Sequence, residues 1–148
     1  MDNKKQSKIT NFFDEYRFLS NFWMCNIEYE GIKYPSVEHA YQAAKTNDKE
    51  KQMIIAKLST AVEAKKYGRI LVVRKDWDDI KLEIMYTLVK KKFANNNILK
   101  RQLLATGDAI LVEGNTWGDV FWGVCNGVGE NHLGKILMKV RQELLDEY

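Results

Sequence analysis

"DWDDIKLEIMYTLVKKKFAN", Asp76 to Asn95, is the stretch on which the fold turns. Trp77, Ile80, Ile84 and Leu88 recur at helical spacing, and Leu82, Met85, Val89 and Phe93 broaden the stripe. So wide an apolar arc predicts a central helix, packed on more than one side. The lysines of "KKK", Lys90 to Lys92, read as its closing turn, where cations suit the negative end of the dipole.

Working outward, the flanks supply shorter helices and little sheet. "MCNIEY" and "IKY" bracket Glu30-Gly31, which predicts a hairpin with glycine supplying a positive φ. Pro35 is expected to stop the second strand, and Ser36 to cap a helix running to about Lys45. Asp48 begins another helix, with Met53, Ile54 and Leu58 on its expected buried side. Thr60 and Glu63 have capping-box spacing, with Gly68 as the stop. After the long helix, Asn97 is expected to cap a short one, Ile98 to Thr106, ended by Gly107. "KITNFF" (Lys8–Phe13) and "AILVE" (Ala109–Glu113) read as strands, and a last helix spans about Asn131 to Leu145. The fold class is therefore mainly α with a small antiparallel β element. One proline, no low-complexity run and no repeat in 148 residues predict a single domain.

The totals narrow the function. No stretch nears the ~20 apolar residues that span a bilayer, and "MDNKKQSKIT" has no apolar signal region. The expectation is a soluble cytoplasmic protein, in the host cytoplasm if phage-encoded, with no membrane partner. Two cysteines and two histidines lie far apart without ligand spacing, so neither metal nor cofactor is expected. The net charge of +3 and pI near 8.7 tolerate ligands that carry phosphate.

Three stretches could carry chemistry. In "YPSVEHAYQAAK" (Tyr34–Lys45), Glu38 and Lys45 stand seven residues apart and return to nearly one helix face, with Gln42 between them and His39 beside. The plain alternative is a solvated face that suits the dipole. In "EGNTWGDVFWGVCNGVGENHLG" (Glu113–Gly134), Trp117, Phe121 and Trp122 surround Asp119, and Gly123, Gly127 and Gly129 lead to a helix start at Asn131. Such a loop could turn backbone N–H groups towards an anion, or simply plug the core with its tryptophans. In "GRILVVRKDW" (Gly68–Trp77), Arg69 could grip phosphate beside Trp77, while Trp77 could equally be core.

Together with "NFFDEYRFLSNF", "KKF" and "LLATGDAILVE", these blocks occur in the order of the NADAR, or YbiA-like, family, and the chain resembles it from about Asn11 to Leu145. The resemblance implies hydrolysis of N-glycosidic bonds between ribose and nitrogen. Its expected partner is either an ADP-ribosylated nucleic acid, with ADP-ribose removed from guanine in DNA, or a phosphorylated ribosyl small molecule of the riboflavin pathway. A non-catalytic module binding ADP-ribose is the remaining alternative. The family's functional positions fall on Glu38, Lys45, Trp77, Asp119 and Trp122 here. Glu38, Lys45 and Asp119 are thus the expected catalytic residues, sharing one cavity. Asn21, Phe22, His39, Gln42, Arg69, Trp77, Trp122, Gly123, Gly127, Gly129 and Asn131 are the expected substrate contacts. Val124-Cys125, after the tryptophan-glycine, depart from the family's usual detail.

Overall fold

A computed structural model describes residues 6–147. In chain order the elements are β1 (Lys8–Ile9), a 3-10 turn (Asp14–Leu19), β2 (Met24–Tyr29), β3 (Ile32–Ser36) and α1 (Val37–Ala44). Then follow α2 (Lys49–Ala56), α3 (Ala61–Gly68), α4 (Trp77–Ala94) and α5 (Asn97–Ala105). β4 (Ile110–Leu111), β5 (Gly114–Asn115), β6 (Val124–Cys125) and α6 (His132–Asp146) complete the chain. The class is mainly helical with a small antiparallel sheet, as expected, and two very short parallel strand pairs were not foreseen. Internal contacts divide the chain into two units, one formed by Asn21–Asn95 and one joining residues 6–20 to residues 96–147. Among the described residues no helix is long and apolar enough to cross a membrane, and no cluster of His, Cys, Asp and Glu could hold a metal.

In the Asn21–Asn95 unit, α4 is the long helix that the sequence predicts. Ile84, Met85, Leu88, Val89 and Phe93 are buried, and Leu82 is exposed. The β2–β3 hairpin turns on Glu30 and Gly31, both at positive φ, as a tight two-residue turn requires. Pro35 does not end β3. The strand continues to Ser36, because a proline on an edge strand forfeits no ladder bond. Ser36, Asp48 and Thr60 cap α1, α2 and α3, each accepting backbone N–H groups on its side chain.

The buried face of α2 is a correction. Gln52 and Ile55 point inward, while Met53 and Ile54 are 45% and 46% exposed and Leu58 is only partly covered. Gln52 wins an inner position because its amide donates to the Thr46 carbonyl at 2.7 Å, so burial leaves it satisfied.

A second correction falls at the end of α4. Lys92 is not a solvated cation but only 2% exposed, its Nζ 5.0 Å from the Phe93 ring centroid. Burial pushes its amine down to about 7, against the pull of the nearby Cys25 thiol. Between about 7 and the ordinary 10.5 the unfolded chain therefore binds more protons than the folded one. Stability should rise with pH across that window, by about 1 kcal/mol per pH unit, and Lys92→Met should flatten the slope. Urea unfolding at pH 7, 8 and 9 checks this, and equal slopes for both proteins would refute it.

The second unit packs α6 on α5 and β4, with Leu99, Leu103, Leu111, Leu133, Leu137, Val140 and Leu144 buried. α5 is capped by Asn96, one residue before the expected Asn97. The expected strand over Lys8–Phe13 shrinks to two residues paired in parallel with β4, and the 3-10 turn that follows was not predicted. Phe18 and Leu19 of that turn are buried, so its apolar residues serve the core without a helical or alternating period.

Candidate active site

Eight of the expected residues lie in the Asn21–Asn95 unit, and α1 organises them. Its burial is almost complete, Glu38, His39, Tyr41 and Gln42 included, so the solvated-face alternative fails. The Glu38 N–H donates to the Asn21 carbonyl at 3.1 Å, and Asn21 is held by its own amide against Met85 Sδ at 3.5 Å. Gln42 Nε2 donates to Glu38 Oε1 at 2.7 Å, which fixes the carboxylate's orientation. Lys45 caps the helix, and its carbonyl accepts the Arg74 N–H at 2.8 Å. Its Nζ stands 5.6 Å from the Tyr41 ring centroid, and Tyr41 in turn packs on Trp77 at 5.1 Å.

Among these site residues, electrostatics tune the Lys45 amine. Burial lowers its pKa most, Glu38 opposes that, and Arg69, Lys65 and Lys81 lower it further. Free amine is thus more available near neutrality than on an exposed lysine. A desolvated amine beside an oriented carboxylate is equipment for attack on an electrophilic carbon.

His39 has a different task. It is wholly buried, with Nε2 at 2.9 Å from the Leu58 carbonyl and Nδ1 at 2.6 Å from Ser36 Oγ. A carbonyl only accepts, so Nε2 carries the proton and Nδ1 accepts from the serine hydroxyl. Burial lowers its pKa in the same sense. With both nitrogens used inside the fold, His39 ties α1 to the end of α2 and has no atom left for substrate.

Gly68 bears on the same carboxylate. A Cβ there would strike the Gln42 side-chain carbonyl oxygen, which is buried without a hydrogen-bond partner. The glycine therefore serves close packing of α3 on α1, and not a left-handed stop. Gly68→Ala should displace Gln42 from Glu38 and lower turnover about tenfold, with folding retained. Steady-state kinetics beside a thermal melt check this, and unchanged turnover would refute it.

The remaining six expected residues lie in the other unit. Asp119 Oδ1 accepts the Phe121 and Trp122 N–H groups at 3.2 and 2.9 Å, and Asn115 grips the Asp119 backbone from both sides. Half of the carboxylate thus holds its own loop. Trp122 meets Phe121 edge-on at 4.8 Å, and Phe121 lies 4.6 Å from the His132 ring. The three glycines have structural reasons. Asn126 and Gly127 form a tight turn at positive φ, closed by Cys125 and Val128. A Cβ on Gly123 would strike the Glu113 carbonyl, and one on Gly129 would strike the Gly123 carbonyl. The helix start is not open to an anion either. The N–H groups of Asn131, His132 and Leu133 donate to the carbonyls of Gly123, Phe121 and Trp122, at 3.2, 3.2 and 2.9 Å. The Asn131 side chain is likewise spent, on the Glu113 N–H and the Leu111 carbonyl.

Tyr41, Lys65 and Lys81 also surround Lys45, although the sequence reading does not place them among the expected site residues. The signal was present, since Tyr41–Lys45, Lys65–Arg69 and Trp77–Lys81 are all i, i+4 pairs on their helices.

The model of the NADAR domain matches residues 4–145. The N-glycosidase YbiA of Escherichia coli is 36% identical over 148 residues, covering 96% of this chain and 92% of that protein. An N-glycosidase of Nostoc punctiforme is 41% identical over 135 residues, covering 87% and 86%. A riboflavin biosynthesis protein of Vibrio vulnificus is 42% identical over 134 residues, covering 88% of this chain but only 36% of its own length. The NMR structure of E. coli YbiA superposes with a TM-score of 0.85 at 35% identity, covering 97% of this chain and 88% of that one. The chain belongs to the NADAR domain family. Its class is accordingly that of a glycosidase, an enzyme of the hydrolase kind.

Proposed function

We propose that this chain hydrolyses the bond between ribose C1 and a base nitrogen, and that its substrate is ADP-ribose linked to guanine in DNA. The pairing of a half-buried Lys45 amine with the oriented Glu38 carboxylate on one helix carries the reaction class. Breaking C1–N builds positive charge on the sugar, which a fixed carboxylate stabilises. The Lys45 amine attacks C1, the C1–N electron pair leaves with the base, and a proton restores the base to neutrality. Opening of the sugar ring at C1–O gives an imine on Lys45, and water then releases the ribose aldehyde and the free amine. The family motif adds Asp119 as a further candidate carboxylate, while Trp77 and Trp122 are candidate stacking surfaces. Arg69 and the mild positive charge support a diphosphate-bearing substrate.

A second reading has its own support. The Vibrio relative is called a riboflavin biosynthesis protein, as is a chloroplastic relative in Zea mays. The substrate in that case is a free ribosylaminopyrimidine phosphate. Incubation with an ADP-ribosylated oligonucleotide and, separately, with that pyrimidine separates the readings. Release of ADP-ribose from the oligonucleotide supports the first, and cleavage of the pyrimidine alone transfers the assignment to the second. Tight ADP-ribose binding without cleavage of either would leave a binding module.

A further inference from the structure

We infer that Lys65, Arg69 and Lys81 form a subsite for the phosphates of the substrate, set around the Lys45 amine and floored by the rings of Phe22, Tyr41 and Trp77. This rests on the proposed reaction at Lys45 and names how its substrate is held. Three helices converge to build it. α3 packs on α1 where Gly68 meets Gln42, and α4 packs on α1 where Trp77 meets Tyr41. Residues four apart share a helix face, so Lys45 lies on the face of Tyr41, Lys81 on that of Trp77, and Arg69 on that of Lys65. Lys65 Nζ stands 5.9 Å from the centroid of the Phe22 ring, itself 37% exposed. The fields of Lys65, Arg69 and Lys81 all reach the Lys45 amine, where the Glu38 carboxylate opposes them.

The helix dipole does not account for this group. Cations at the end of α3 suit its dipole, but Lys81 stands in the second turn of α4, near the end where cations are disfavoured. Lys81 also bonds Asp78, at 3.1 Å, through a carboxylate that is almost fully exposed. Among the described residues neither Lys65 nor Arg69 forms an ion pair. Gathering cations around an amine costs stability unless an anion joins them. Ammonium groups together with a guanidinium fork match a diphosphate.

Inorganic pyrophosphate is the probe, with binding read by titration calorimetry and hydrolysis measured on both candidate substrates. The wild type should bind pyrophosphate. Lys65→Gln with Arg69→Gln should weaken that binding at least tenfold, Lys81→Gln severalfold, and Lys135→Gln, exposed on α6, not at all. On the cleaved substrate the first two variants should raise KM by similar factors and leave kcat within about twofold. Absence of pyrophosphate binding, or equal binding by all variants with wild-type melting, overturns the subsite. If binding depends on these residues while neither substrate is cleaved, the subsite stands and the hydrolase reading falls.

Discussion

Lys45→Ala should abolish measurable hydrolysis, with a fall of roughly a thousandfold or more, while the melting temperature stays near that of the wild type. The size follows from the role. Removal of one preorganised electrostatic group costs about 10²–10³ in rate, and loss of a nucleophile removes the covalent route as well. The fold should tolerate the change, because Lys45 holds its place through backbone bonds that alanine keeps: its carbonyl to the Arg74 N–H and its own N–H to Gln42. Borohydride added during turnover should reduce the imine and fix substrate mass on the wild type, and none on the variant. Lys45→Arg sharpens the test, since it keeps the charge but offers no neutral amine near pH 7. An active Lys45→Arg, or a wild type that traps nothing while turning over, would show that Lys45 is only a counter-charge.

The α1 helix shows how much of this could be read in advance. Spacing alone puts Glu38, Gln42 and Lys45 together, and the structure keeps them together, with Gln42 bonded to Glu38. Spacing could not show that the whole helix would be buried, because burial depends on α2, α3, α4 and the hairpin closing over it. That burial is what separates a tuned amine from a surface lysine. The same blindness explains His39 and Lys92. Both are polar letters in sequence, and both are buried through partners or surroundings supplied by distant chain: Leu58 for one, Phe93 and the neighbourhood of Cys25 for the other. Met53 and Ile54 err in the opposite direction, since apolar residues on a short helix do not reveal which side its neighbours will cover. The glycine loop was legible as a special stretch, but its purpose was not. Asn126-Gly127 announces a tight turn, whereas the need for glycine at Gly123 and Gly129 arises only from backbones that approach closely in three dimensions. Lys65 and Lys81 were visible as letters. They became candidates only once Gly68 and Trp77 fixed how α3 and α4 lie on α1.

Glu38→Gln should lower the maximal rate about a hundredfold and also move the pH profile, and the two effects carry different information. The glutamine keeps the shape and can still accept from Gln42, so the packing of α1 should survive. Glu38 favours the charged form of Lys45, whereas burial and the surrounding cations oppose it. Activity that needs the free amine rises with pH through the amine's folded pKa. Removing Glu38 lowers that pKa, so the rising limb should shift to lower pH even as the plateau drops. A carboxylate that merely steadied the ammonium would give the shift without the drop, and turnover at neutral pH would then improve. A carboxylate that faces the sugar's developing charge gives both. Asp119→Asn isolates the second candidate acid on the same plan: the side-chain oxygen that holds the Phe121 and Trp122 N–H groups is retained, so the loop should persist. If its limb stays in place while the plateau falls about a hundredfold, Asp119 acts on the substrate without tuning Lys45. If Glu38→Gln and Asp119→Asn both turn over at the wild-type rate, neither carboxylate stabilises the sugar cation.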